Sequence, residues 1–333
     1  MVEVYVASAF SKDSSGGNKA GIVFDRPDLI SVQKMAIAKE LGYAETAFIT
    51  KSSLADFRLE YFTPTEEVPL CGHATIGTFA ILNLLNKLTK SEYTIETKSG
   101  LLSINIDPDG MVFMEQKTPI FFNEIASDEF IGCLDTDSIL DTLPTQIVST
   151  GLRDILLPMK STVDLEKLNP NFAIMTELSK QQDVIGVHAF ALTGRKSSIT
   201  AVCRNFAPLY DIDEEAATGT SNCALACYLF KYVEKKSQYI FEQGYHLNSP
   251  SRIVVNLKSH DDIIDSVFVG GYGYLVEKNL CQYNLIQFQE YKLKALISTV
   301  NQSQKPNRTR INYCIHSYID YCVYSGTKVI CYL

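Results

Sequence analysis

The stretch Phe62-Thr63-Pro64, followed by Cys71-Gly72-His73-Ala74-Thr75 and the apolar run Ile76 to Leu85, returns later as Phe206-Ala207-Pro208, then Thr218-Gly219-Thr220-Ser221-Asn222 and the apolar run Cys223 to Tyr232. An earlier block repeats in the same order. Ala36-Ile37-x-x-Glu40-Leu41 with the apolar strand Ala47-Phe48-Ile49-Thr50 reappears as Ala173-Ile174-x-x-Glu177-Leu178 with Ala189-Phe190-Ala191-Leu192-Thr193. Two ordered blocks predict duplication of one α/β unit, with a boundary near residues 118–130, where Thr118-Pro119 closes the first half. The expected division is a first half over 1–122, a second over 123–283 and an appendage over 284–333.

Local signals fill in the first half. Val2 to Phe10 alternates as a strand. Ser31 to Leu41, SVQKMAIAKEL, reads as a helix with Ser31 as N-cap and Gly42 as stop. Glu45 to Thr50 alternates as a strand, and Leu101 to Gln116 reads as two strands joined by a turn at Asp109-Gly110.

At 333 residues, with 46% hydrophobic and 20% charged residues, the composition is that of a globular protein long enough for two cores. A net charge of -8 offers no basic surface for a phosphate backbone, so no nucleic-acid partner is expected. No apolar stretch approaches a membrane span, so no membrane partner is expected either. No secretory signal is read at the N-terminus. Nine scattered cysteines without a C-x-x-C pair read as reduced thiols, which sets the expectation of a cytoplasmic protein. Cys223 and Cys227, four apart on a helix, read as small core residues, and no metal site is expected. The appendage differs in charge: six basic residues against Glu290 and Asp320 give it +4, leaving -12 on the rest.

In both halves a glycine turn runs directly into a helix. The first N–H groups of such a helix lack internal partners and carry the positive end of its dipole, so Gly72 and Gly219 mark two candidate anion sites. Ordinary capping by Ser and Thr is the plain alternative. Glu45 stands at the start of an apolar strand, where partial desolvation would raise its pKa toward the range useful for proton transfer. His73 stands in the first helix start, where the dipole would favour the neutral ring. Glu214 and Glu215 precede the second start, where acids also occur simply to complement a dipole.

Gly17-Asn18, Glu45 in GYAETAF, Cys71-Gly72-His73-Ala74-Thr75, Asp213-Glu214-Glu215-Ala216-Ala217-Thr218-Gly219-Thr220, Gln243-Gly244, Pro250-Ser251 and Val269-Gly270-Gly271 together resemble the PhzF-like phenazine-biosynthesis family over about residues 1–280. The resemblance implies an α+β protein of diaminopimelate-epimerase-like fold: two similar domains, each a largely antiparallel sheet around a central helix, related by a pseudo-two-fold. It also implies a cofactor-independent isomerase that moves a proton on a small carboxylate-bearing substrate, and a homodimer. Carried onto this chain, Glu45 would be the acid/base, His73 its polar support and Glu215 a supporting carboxylate. Asn18, Gly72, His73, Ala74, Thr218, Gly219 and Thr220 would bind substrate.

Three positions depart from the family pattern. Glu215 replaces the more frequent Asp, Lys19 a Pro, and Ser249 an Arg. Two other readings use the same cleft: a two-cysteine racemase, for which Cys71 suits one side but Thr218 stands where the second thiol is needed, and a non-catalytic small-molecule binder.

Overall fold

The structure, a computed structural model, describes residues 1–194, 197–281, 322–325 and 328–331. Met1–Tyr283 form one compact unit. It is an α+β protein built as two similar halves. The first half comprises β1 (Val2–Ala9), β2 (Asn18–Phe24), α1 (Ser31–Leu41), β3 (Thr46–Thr50), β4 (Phe57–Phe62), β5 (Glu67–Val68), α2 (Gly72–Leu84), β6 (Glu92–Thr97), β7 (Gly100–Ile106) and β8 (Val112–Gln116). The second runs through β9 (Ile120–Glu124), β10 (Gln146–Ser149), β11 (Arg153–Pro158), α3 (Thr162–Lys167), α4 (Phe172–Gln182), β12 (Gly186–Leu192), β13 (Ala201–Ala207), β14 (Ile212–Glu215), α5 (Gly219–Tyr232), β15 (Gln238–Gln243), β16 (Ser251–His260), β17 (Ile263–Gly271) and β18 (Gly273–Cys281). Of the expected appendage, only β19 (Cys322–Ser325) and β20 (Lys328–Cys331), an antiparallel pair, are described. The rest of 284–333 lies outside the described residues, as does its charge pattern.

Pairing repeats strand for strand. β2 runs parallel to β3 as β11 does to β12, and β4 parallel to β6 as β13 does to β15. The equivalent strands β8 and β17 pair antiparallel, Met114 opposite Val269, which is what a two-fold between the halves requires. The last strand crosses over: β18 pairs with β1, and β9 pairs with β10. The end of the second half's chain therefore closes the sheet of the first.

α2 and α5 are buried on nearly every face, as the apolar composition all round predicts for central helices. Their inward side chains, including Phe79, Leu82, Leu225 and Tyr228, share one apolar cluster. Burying a Leu or Phe contributes roughly 1.5–3 kcal/mol, so this cluster is what fixes both helix starts in place. A second cluster, with Met175, Leu178 and Phe206, packs α3 and α4 against the strands of the second half.

Two local readings change. Ile30, not Ser31, is the N-cap of α1, and its N–H is taken by the Gln33 side chain at 2.9 Å; Gly42, at φ 71°, ends the helix as expected. The repeat also slips by one residue within its strands. Thr46 pairs with Phe62 and Val187 with Phe206, so matching the two Phe residues places His188, not Ala189, where Ala47 sits. Strand side chains alternate, so this decides which face is polar. The same register puts Gly186 opposite Glu45 in the comparison. Among the described residues no helix is long and apolar enough to cross a membrane.

Candidate active site

The Gly16-Gly17 turn delivers Asn18. Both glycines have positive φ, 63° and 82°, and a Cβ on Gly17 would lie 2.5 Å from the Ala9 carbonyl oxygen. Ser8 Oγ donates to the Gly16 carbonyl, and Ser249, standing where the resemblance expects Arg, donates to the Gly17 carbonyl at 2.8 Å. So held, Asn18 Nδ2 lies 3.0 Å from Glu215 Oε1, 3.3 Å from the Ala217 carbonyl and 3.4 Å from His73 Nδ1. One amide thus touches the starts of both central helices.

On the α2 side, His73 Nε2 is 3.3 Å from Glu45 Oε2, and Cys71 Sγ is 3.5 Å from His73 Nδ1. His73 and Cys71 are each 7% exposed, while the Glu45 side chain keeps 21%. Glu45 Oε2 is nevertheless a buried atom without a well-aligned hydrogen bond. Burial works against the Glu45 charge, but His73 and then Cys71 outweigh it and hold the carboxyl below its usual range. Burial likewise works against a charged His73, yet its neighbours, the Glu45 carboxylate at 3.3 Å among them, prevail and hold the ring above its usual range. Both expectations from sequence are therefore corrected. Each reading used one environmental effect, burial or dipole, and the partner at 3.3 Å reverses both. In the imidazolium, Nδ1–H faces Cys71 Sγ; the Asn18 contact is a hydrogen bond only when Nδ1 is bare. Burial first, then Glu45, pushes the Cys71 thiol up, so it rests protonated.

On the α5 side, Glu214 and Glu215 separate in role. Glu214 takes two hydrogen bonds from the buried Arg204, at 2.9 and 2.7 Å, and is structural. Glu215 accepts from Asn18 and from Thr218 Oγ1 at 2.8 Å, and burial pushes its carboxyl up. Neither N-cap residue, Cys71 or Thr218, caps its helix with its side chain. The two starts differ in openness: a Cβ on Gly72 would meet nothing within 4 Å, while one on Gly219 would meet the Phe10 ring at 3.2 Å and Val269 at 3.4 Å. Ala74 is fully buried. Thr220 Oγ1 donates to Gln116 Oε1 at 3.3 Å, so its hydroxyl is turned toward the end of β8.

Several supporting side chains escaped the sequence reading. Gln243 donates to the Glu215 carbonyl at 2.7 Å and to Thr218 Oγ1 at 3.1 Å, and accepts from Asn222 Nδ2 at 2.9 Å. Its signal was present in the Gln243-Gly244 motif. Behind it lies a buried chain: Asn205 Nδ2 contacts His188 Nδ1 at 3.2 Å and Ser221 Oγ at 3.3 Å, and Ser221 Oγ donates to Asp154 Oδ2 at 2.7 Å. No single motif announces these four.

The site is one-sided. Where α2 offers Cys71 and His73, α5 offers Thr218 and Thr220, and Gly186 stands in the register place of Glu45. Cys223 is fully buried within α5, with its thiol pushed up by burial, and does not supply a second thiol at the helix start. Glu45, Cys71 and His73 are also the one group of three metal-type donors among the described residues, mutually within 4.8 Å. Two open surface hollows, one bordered by Phe121 and Lys231 and one by Asp56 and Tyr93, lie apart from all these side chains.

Comparison with known proteins places the fold in a family. The PhzC-PhzF family, described as phenazine biosynthesis-like protein, matches residues 7–279. An uncharacterized isomerase of Clostridium acetobutylicum is 32% identical over 263 residues, spanning 72% of this chain and 87% of its own. The trans-2,3-dihydro-3-hydroxyanthranilate isomerase of Pseudomonas aeruginosa is 26% identical over 280 residues, spanning 82% of this chain and 96% of its own. The crystal structure of a PhzF-family phenazine biosynthesis protein of Bacillus anthracis superposes with a TM-score of 0.78 at 28% identity, covering 84% of this chain and 99% of its own. The chain belongs to the PhzC-PhzF, phenazine biosynthesis-like family, and it is an isomerase.

Proposed function

We propose that the protein moves a proton between two carbons of a small carboxylate-bearing substrate without a cofactor, with Glu45 as the acid/base. The observation that carries this reading is the state of Glu45: a carboxylate kept ionised by His73, with one buried oxygen lacking an aligned donor. Such an oxygen has a lone pair for a substrate C–H. The C–H bond breaks toward Glu45, its electron pair moves into the substrate's unsaturated system, and the resulting Glu45 carboxylic acid returns the proton at another carbon. His73 stabilises the carboxylate before and after. Glu215, held by Asn18 and Thr218, is the supporting carboxyl on the far side.

Substrate binding is assigned to Asn18 and the two helix starts, Gly72, His73 and Ala74 with Thr218, Gly219 and Thr220. The Gly72 start, bordering open space, is the better placed to take the carboxylate. The Pseudomonas relative is named for a small ring carboxylate, and only that class is carried over. Six free buried cysteines among the described residues support a reducing, cytoplasmic setting. The homodimer implied by the resemblance is checked by light scattering.

The test is solvent deuterium incorporation into a small carboxylate substrate, followed by NMR. Glu45→Gln should preserve the fold and carboxylate binding while lowering exchange by about 10²–10⁴-fold. Unchanged exchange in that variant would end the reading.

A further inference from the structure

The trio Glu45, Cys71 and His73 has the donor chemistry of a zinc site: one thiol, one imidazole and one carboxylate. Its spacing fits as well. A tetrahedral zinc with bonds of about 2.3 Å to sulfur and about 2.0 Å to nitrogen and oxygen has ligand-to-ligand edges of roughly 3.3–3.6 Å. Here His73 Nε2 lies 3.3 Å from Glu45 Oε2 and 3.8 Å from Cys71 Sγ. All three donors fall within 4.8 Å of one another, and Glu45 Oε2 is buried without an aligned hydrogen bond. The His73–Glu45 edge already has the separation a metal would impose, and Cys71 Sγ, now 3.5 Å from Nδ1, needs only a side-chain rotation to join it on the Nε2 side. The 21% exposure of Glu45 and the open space beside Gly72 leave a way in and room for a fourth, solvent ligand.

We infer that this trio captures a thiophilic divalent cation of the Zn²⁺ class, and that capture silences the enzyme. Binding displaces the thiol proton of Cys71 and the proton on His73 Nε2 to solvent, with no change of oxidation state. Glu45, once coordinated, no longer has a lone pair for a substrate proton. The silencing rests on the reading of Glu45 as the base; the binding does not.

Co²⁺ tests the binding directly, because a cobalt–thiolate bond gives a near-ultraviolet charge-transfer band that needs no substrate. Chelator-treated full-length protein should develop this band to one equivalent. Cys71→Ser should lose it while keeping the native circular dichroism spectrum and melting temperature. His73→Asn should weaken Co²⁺ affinity by at least about tenfold. Absence of the band, or the same band in Cys71→Ser from thiols elsewhere in the chain, overturns the site. In the deuterium-exchange assay one equivalent of Zn²⁺ should stop exchange, and a chelator should restore it. A Cys71-dependent band without loss of exchange would leave the metal site standing and overturn the silencing together with Glu45 as base.

Discussion

Asn18 Nδ2 donates to Glu215 Oε1 at 3.0 Å, tying the start of β2 to the end of β14, just ahead of α5, across 197 positions of chain. The same amide contacts His73, so it is the physical link between the two helix starts. Asn18→Ala leaves Glu215 with Thr218 as its remaining side-chain donor. Such a loss costs about 1–2 kcal/mol of stability, read as a lower denaturant midpoint at unchanged slope. Glu215→Asp, one methylene shorter, should lose one of the two contacts and cost about half as much. Variants as stable as the parent would show that the bridge holds nothing.

Gly17→Ala should act on the same bridge from the backbone. At φ 82° an L side chain is strained, and its Cβ would press on the Ala9 carbonyl at 2.5 Å and Ser8 Oγ at 2.6 Å. Left-handed strain alone costs roughly 1–2 kcal/mol, and Asn18, the next residue, moves with the turn. The expected result is a lower melting temperature together with weaker substrate exchange. Gly42→Ala serves as the comparison, because its φ is also positive but its Cβ meets nothing within 4 Å. It should cost stability without touching exchange.

What could be read from the sequence was local. The helix Ser31–Leu41, the Asp109-Gly110 turn and the two glycine helix starts each declare themselves within a few residues, and the ordered repeat joined them into two halves. Glu45 and His73 were found because their motif is contiguous with those signals. The crossing of β18 to β1, and the reach of Gln243, Gln116 and Asp154, depend on strand register between distant segments, which no short pattern encodes. The protonation of Glu45 and His73 failed for a related reason. Burial and dipole can be guessed from position along the chain, whereas a partner 3.3 Å away is known only after folding.

Truncation after Tyr283 should leave a folded, ligand-competent protein. Met1–Tyr283 form one compact unit, and every site residue, both central helices and the closing strand β18 fall inside it. Circular dichroism and melting of the truncated chain should match the parent, and deuterium exchange should persist. An unfolded 1–283 chain would refute this division.

The buried chain Asp154, Ser221, Asn205 and His188 sets up two opposed pH dependences. Burial pushes the Asp154 carboxyl from 3.8 up to about 7, and pushes the His188 ring from 6.5 down to about 3. Between pH 3.8 and 7 the folded protein keeps the Asp154 proton that the unfolded chain releases, so this group lowers stability as pH rises. Between pH 6.5 and 3 the unfolded chain gains a proton that folded His188 refuses, so that group lowers stability as pH falls. Each slope is about 1.4 kcal/mol per pH unit, and they cancel where the windows overlap, from about pH 4 to 6.5. Single variants should expose them separately. Asp154→Asn, whose side-chain carbonyl still accepts from Ser221, leaves His188 unopposed, and stability relative to the parent should rise by roughly 3 kcal/mol in the direction of increasing pH across that range. His188→Gln should give the mirror image, falling relative to the parent up to about pH 6.5. Urea midpoints taken at pH 4.5, 5.5, 6.5 and 7.5 measure both, with the parent's own profile subtracted to remove every other titrating group. Difference profiles that are flat for both variants would show that neither group is held in its buried neutral form.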